Sequence, residues 1–86
     1  MYFVYILQSL KDQRTYIGYT NDFERRFKDH NSGQSRATKY HAPFKLLFKE
    51  EFSNITEAKK RELWWKSGAG RRELKKYFDS MIYSKN

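Results

Sequence analysis

The chain begins with Tyr2 to Leu7, a segment made only of aromatic, aliphatic and β-branched residues. A short continuous run of this kind predicts a buried strand, which the rest of the fold has to cover. Thr15 to Thr20 has a similar composition and follows a short polar connection. Because sequential strands with a short link usually pair, the two segments should form an antiparallel hairpin.

A third strand is predicted from Phe44 to Phe52, where apolar and polar residues alternate. The alternation assigns Phe44, Leu46, Phe48 and Phe52 to one face of this strand. It assigns Lys45 and Lys49 to the other.

Three further segments have the pattern of amphipathic helices. Thr20 or Asn21 is predicted to cap the first helix, and Asn54 with Glu57 resembles a capping box for the second. Residues 67–70 should break the chain before the third helix, whose apolar stripe is Leu74, Tyr77, Phe78, Met81 and Ile82. The element order is therefore ββαβαα, an α+β class, with strands near 2–8, 14–20 and 44–52 and helices near 21–31, 55–67 and 70–82.

Composition limits the class of protein. The 86 residues predict one domain spanning 1–86, and the +8 charge (18 Lys and Arg against 10 Asp and Glu) indicates a polyanionic partner, although solubility alone also explains it. Without cysteine, a metal must bind oxygen or imidazole, which favours Mg²⁺ or Mn²⁺.

No apolar run reaches the roughly 18 residues of a membrane span and no signal peptide is visible, so a cytoplasmic location is expected. The oligomeric state stays open.

Two polar residues of the first helix fall on or beside its apolar stripe. At about 100° per residue, Arg26 and His30 lie close to the Phe23 and Phe27 positions that should face the sheet. Each has a plain structural explanation, Arg26 as an amphipathic flank and His30 as a hydrogen-bonded histidine near a helix end. His41, the other histidine, lies in a basic loop and is expected to be solvated.

Glu62 is the sharper signal. Helical geometry places it between Ile55 and Ala58 on the inward face of the second helix. A carboxylate there costs several kcal/mol unless it is paired or bound to a metal. A structural salt bridge, for example with Arg26, and a functional role explain it equally well.

The first hairpin adds two hydroxyl groups. Tyr5 and Tyr16 are equidistant from the Leu10–Lys11 link and are predicted to be near neighbours across the strands, although both also suit ordinary strand positions. Gly18 within a strand indicates that another group approaches the backbone closely. Two tyrosines, an arginine, a histidine and a glutamate are thus candidates for one cleft, and we expect Arg26 and Glu62 on the same side of the sheet.

These residues resemble the motifs of the GIY-YIG nucleases. Phe3-Val4-Tyr5 and, after a connection of about ten residues, Tyr16-Ile17-Gly18 resemble the two halves of the signature. Residues 23–30 resemble the leucine-x-x-arginine-x-x-x-histidine helix, with Phe23 in the leucine place, and residues 58–66 the glutamate-bearing helix. Residues 66–71 resemble the small stand-alone bacterial members. Phe3 stands where the first motif has glycine, and a downstream asparagine common in the family has no clear counterpart.

The resemblance implies a small three-stranded antiparallel sheet flanked by helices and a metal-dependent endonuclease of DNA repair or recombination. According to this resemblance, Glu62 would ligate a single Mg²⁺ or Mn²⁺. Tyr5 or Tyr16 would act as or position the base, Arg26 would stabilise the transition state, and His30 would hold phosphate or relay a proton.

The implied partner is a nucleic acid, with DNA the expected substrate. Candidate phosphate contacts are Lys39, Lys45, Lys49, Lys66, Arg71 and Arg72, which are equally explained as a solvated surface. The alternative function is a binding module that grips nucleic acid without cutting it. A purely structural basic protein would leave Glu62 unexplained.

Overall fold

The computed structural model describes residues 1–84 and has the predicted element order ββαβαα. The elements are β1 (Tyr2–Ser9), β2 (Thr15–Thr20), α1 (Phe23–Ser32), β3 (Phe44–Phe52), α2 (Ile55–Lys66) and α3 (Gly68–Ser84). All pairings are antiparallel, in the order β2-β1-β3. The predicted α+β class and three-stranded sheet are confirmed. Within the described residues, no helix has the length and apolar character needed to cross a bilayer.

The central strand β1 is covered on both faces, as its composition predicted. Val4 and Ile6 pack with Ala58, Trp65 and Leu74 of α2 and α3 on one face. On the other face, the side chains of β1 pack with α1 and the start of β3; the buried members of this cluster are Tyr5, Leu7, Phe23 and Phe44. The sheet therefore has α1 on one face and α2 with α3 on the other.

The single apolar face predicted for β3 is wrong. The pairing of β3 with β1 shifts at Leu47, because Ile6 faces Phe48 whereas Leu7 faces Leu46. Such a bulge inserts one residue and reverses the side of every later side chain. As a result Phe44 and Leu46 join the cluster under α1, while Phe48 and Phe52 pack with α2 and α3. Lys45 and Lys49 are likewise separated onto opposite faces.

Side-chain caps define the helix starts. The predicted cap of α1 at Thr20 or Asn21 is wrong, because the Asp22 carboxylate accepts from the Arg25 N–H at 3.2 Å. Thr20 instead accepts from the Asp22 N–H, so its hydroxyl orders the turn before the helix. For α2 the predicted cap is confirmed, with Asn54 Oδ1 accepting from the Glu57 N–H at 2.9 Å.

The break predicted at residues 67–70 is reduced to Ser67 alone. The helix α3 starts at Gly68, and the Ser67 backbone carbonyl accepts from the Arg71 N–H at 3.0 Å. Gly70 serves helix packing, since a Cβ there would lie 2.3 Å from the Trp64 carbonyl oxygen. Of the predicted stripe of α3, Leu74 and Phe78 pack as expected, whereas the side chains of Met81 and Ile82 lie outside the described residues.

Gly70→Ala should destabilise the protein by about 1–3 kcal/mol, because the new methyl group would force α2 and α3 apart. Gly68→Ala is the matched control in the same helical turn. Its Cβ would meet the flexible Arg72 side chain at 3.5 Å, so stability should stay the same or rise slightly. Urea unfolding of the two variants measures the difference, and equal stabilities would contradict the close packing of α2 on α3.

Candidate active site

The candidate residues meet at the outer edge of β2. Arg26 and Glu62 were expected on one side of the sheet, but the helices that carry them, α1 and α2, pack on opposite faces. Both side chains nevertheless line one cleft of about 220 Å³, because β2 is an edge strand and the cleft extends around it. Tyr5, Tyr16 and His30 line the same cleft.

The Tyr5 ring lies across Gly18, its partner in the β1–β2 pairing. A Cβ on Gly18 would lie 2.5 Å from the Tyr5 hydroxyl oxygen, so only glycine leaves room for this ring position. The close approach predicted from Gly18 is confirmed. It carries the hydroxyl of a central-strand residue towards the edge of the sheet.

Tyr5 and Tyr16 were predicted to be near neighbours across the strands, and they are neighbours diagonally rather than directly opposite one another. Tyr16 faces Leu7, and Tyr5 faces Gly18, because the hairpin turn is centred between Lys11 and Asp12. The two tyrosines are diagonal neighbours on one face of the sheet. The Tyr16 ring packs edge-on against Phe44, with the ring centroids 5.3 Å apart.

His30 joins α1 to the loop that follows it. Its Nε2 lies 3.0 Å from the Tyr5 hydroxyl oxygen and its Nδ1 lies 2.7 Å from the Thr38 hydroxyl oxygen. Burial lowers the pKa of His30 below the ordinary 6.5, the Arg26 charge lowers it further, and Asp29 opposes the shift. A neutral imidazole therefore sits between the two hydroxyls.

The environment of Tyr5 keeps its phenol protonated. Burial raises its pKa above the ordinary 10.0; a hydrogen bond and the charge of Arg26 oppose the rise, and the Glu62 carboxylate adds to it. Tyr5 can then donate to His30 Nε2, which leaves the imidazole proton on Nδ1 facing Thr38. Charged residues of both α1 and α2 therefore affect the pKa of the Tyr5 hydroxyl.

Glu62 and Arg26 do not pair with one another as the structural explanation supposed. The Glu62 carboxylate lies 3.5 Å from Lys66 Nζ, one turn along α2, and its side chain is 15% exposed. The Arg26 guanidinium lies 3.9 Å from the Asp29 carboxylate on its own helix. Both residues line the same cleft, each paired with a residue of its own helix.

Two of the six predicted basic residues lie beside the cleft. Lys66 ends α2 and Arg71 lies in the first turn of α3, close to the edge of β2. Arg72 follows on an exposed position of α3, with its side chain near Gly68.

The other three basic residues lie farther from the cleft. Lys45 and Lys49 belong to β3, which β1 separates from β2. The Lys49 ammonium packs 4.5 Å from the centroid of the Phe23 ring. Lys39 lies in the loop after α1, over the ring of the exposed Tyr40. None of the three lines the cleft.

The expectation that His41 is solvated is wrong. Its imidazole contacts the Asp12 carboxylate and packs beside the Tyr16 ring, and its carbonyl accepts from the Ser9 hydroxyl. These contacts fasten the loop of residues 34–43 to the β1–β2 turn. The loop supplies Thr38, which sequence reasoning missed because nothing in a polar loop marks one hydroxyl for burial.

Comparison with known families matches residues 1–77 to the GIY-YIG catalytic domain. The chain belongs to the GIY-YIG family. Membership supports a nuclease-type function acting on nucleic acid. The two tyrosines, Arg26, His30 and Glu62 are the positions at which the sequence resembles the motifs of this family.

Bacterial UPF0213 proteins resemble the chain over three quarters of its length or more. The UPF0213 protein YsiG of Lactococcus lactis is 46% identical over 66 residues, which is 76% of this chain and 62% of that protein. The chain therefore spans less than two thirds of that relative. The UPF0213 protein CPE1444 of Clostridium perfringens is 37% identical over 87 residues, covering 100% of this chain and 92% of its own length.

A solved structure has the same fold. The solution NMR structure of the UPF0213 protein BH0048 from Bacillus halodurans matches with a TM-score of 0.53 and 36% identity, covering 90% of this chain and 85% of that one.

The depressed pKa of His30 should make folding stability depend on pH. The unfolded chain binds the proton more readily, so the contribution of His30 is present above pH 6.5 and is lost as the pH falls through the lower folded value. In His30→Gln this loss should be absent, so the gap in Tm between wild type and variant should narrow from about pH 8 to about pH 5. If the Tm values of wild type and variant instead changed with pH in parallel, His30 would bind protons equally well in the folded and unfolded chain.

Proposed function

We propose that this GIY-YIG domain is a metal-dependent endonuclease that hydrolyses phosphodiester bonds in DNA. The observation that carries the proposal is one cleft lined by a guanidinium, a carboxylate and a hydrogen-bonded tyrosine–histidine pair. Phosphodiester hydrolysis needs a cation for the phosphate oxygens, charge neutralisation at the leaving oxygen and a base for water. The cleft supplies a candidate for each.

Arg26 is the proposed phosphate-binding residue. Its guanidinium offers several N–H donors in a plane, which matches two phosphate oxygens at once. The pairing with Asp29 is long, at 3.9 Å, and lies along the helix surface. Donors on the cleft side can therefore contact the phosphate and stabilise the added negative charge of the transition state.

The residues present fit one hard divalent cation held at Glu62. Magnesium is commonly bound by one or two carboxylates, with water and substrate phosphate completing its shell. Within the described residues no group of three His, Cys, Asp or Glu side chains converges, so a cage built only of such side chains does not compete with this arrangement. A bound Mg²⁺ or Mn²⁺ would neutralise charge on the phosphate and on the leaving oxygen.

Tyr5 with His30 is the proposed general base. The Tyr5 hydroxyl oxygen accepts a proton from the attacking water while its own proton passes to His30 Nε2, 3.0 Å away. His30 is neutral and oriented by Thr38, so it can take that proton. Within the described residues the Tyr16 ring packs beside His41 and Phe44 but its hydroxyl forms no hydrogen bond comparable to that of Tyr5, which favours a role in positioning the substrate.

Glu62→Gln should abolish metal-dependent cleavage while leaving DNA binding unchanged or slightly tighter, because the carboxylate charge is lost and the shape is kept. Arg26→Ala should raise the activation free energy of cleavage by about 3–4 kcal/mol, as does the loss of other single contacts to a transition-state charge. Both variants are tested by a cleavage assay with Mg²⁺ or Mn²⁺. Its substrates are single-stranded, duplex, flap and branched DNA, and RNA.

Two variants with the same chemistry outside the cleft serve as controls. Glu51→Gln on β3 removes one exposed carboxylate, and Arg25→Ala removes the neighbouring guanidinium on α1. Both should cut at the wild-type rate. If wild type cuts none of the substrates while binding them, the domain is a binding module and the nuclease assignment fails.

Tyr5→Phe should lower kcat by about 10²–10⁴-fold, the usual contribution of a general base. Tyr16→Phe should raise KM more than it lowers kcat. Single-turnover rates across pH separate the two effects, because only loss of the base should change the pH profile. A larger kcat defect in Tyr16→Phe would assign the base to Tyr16 instead.

A further inference from the structure

A second cavity of about 420 Å³ lies beside the cleft, between β2 and the start of α3. It shares three lining residues with the cleft, Tyr16, Ile17 and Ala37. The two cavities therefore adjoin along the edge strand. The volume lies in the range of about 300–1,000 Å³ typical of small-molecule sites.

The walls of this second cavity combine apolar surface with positive charge. Trp65 and Leu74 form an apolar wall, and both are more than nine-tenths buried. The Trp65 ring is held in place because its Nε1 donates to the Glu50 carboxylate at 2.8 Å. The wall is therefore fixed in position, and it presents a small apolar patch because only 5% of Trp65 and 8% of Leu74 is exposed.

The charge comes from Lys66 and Arg71, which line the same cavity. Within the described part of the chain Arg71 forms no ion pair, and Lys66 has only the 3.5 Å contact with Glu62. An apolar wall beside two available cations matches the chemistry of a nucleotide, which joins an apolar planar base to an anionic phosphate.

We propose that this cavity binds one unstacked nucleotide of the cleaved strand, next to the phosphate held in the cleft. The proposal rests on the proposed nuclease function and specifies its substrate class. A base in a continuous duplex cannot enter a pocket without leaving the stack. The preferred substrate is then a nucleic acid that has an unpaired nucleotide beside the bond to be cut.

The test compares two labelled single strands of equal length, one with bases and one built wholly of abasic sugar phosphates. Fluorescence anisotropy without divalent ions measures binding without cleavage. Wild type should bind the strand with bases about tenfold more tightly, the order expected for one base contact. Equal affinity for the two strands would mean that phosphate charge alone drives binding, and would overturn the proposal.

Thr15 lines only the second cavity, so substitutions there separate it from the cleft. Thr15→Met fills the cavity with a side chain that cannot stack, and should remove most of the preference for bases. Thr15→Val keeps the volume and should retain the preference. A Thr15→Met protein that folds and keeps the full preference would locate base binding elsewhere and exclude this cavity.

Arg71→Ala should weaken binding of both strands, whereas Arg72→Ala, at the next position, which does not line the cavity, should have the smaller effect. Because binding is measured without cleavage, the two proposals fail separately. If the protein prefers the strand with bases, loses that preference in Thr15→Met and never cuts, the subsite stands and the nuclease assignment fails. A protein that cuts but binds both strands equally retains the nuclease assignment and loses the subsite.

Discussion

The position of the Tyr5 ring over Gly18 is the contact on which the candidate site depends. A side chain on the central strand normally points into the core, and Tyr5 is indeed buried. Because Gly18 has no side chain, the ring can lie across its neighbour strand and carry its hydroxyl to His30. Any larger residue at position 18 would separate the hydroxyl from both helices.

The edge position of β2 lets two opposite layers contribute to one cleft. A cleft within one face of the sheet would draw on α1 alone or on α2 with α3 alone. At the edge, Arg26 from α1 and Glu62 from α2 approach the same space from the two faces. This arrangement keeps a cation and a carboxylate close without direct pairing, as the proposed contacts with a phosphate and a metal ion require.

The loop of residues 34–43 completes the site through contacts that are distant in sequence. Thr38 fixes the orientation of His30, while His41 attaches the loop to Ser9 and Asp12 at the β1–β2 turn. The hairpin thus supports the site twice, once through its tyrosines and once through its turn. Hydrogen bonds of this kind order a loop that has no helix or strand of its own.

The sequence determined the elements and the family, because periodicity and capping act over a few residues and the motif spacing is local. It also identified a candidate set of five residues. Arg26, His30 and Glu62 were chosen because each is polar on or beside the inward face of its helix, and Tyr5 and Tyr16 because they resemble the two halves of the family's motif. Only the tertiary structure decided the bulge at Leu47, the register that places Tyr5 opposite Gly18, and the meeting of α1 and α2 around an edge strand. It also decided the partner of Glu62 and the burial of Thr38. These features depend on pairing and packing between residues far apart in the chain, for which local patterns carry no signal.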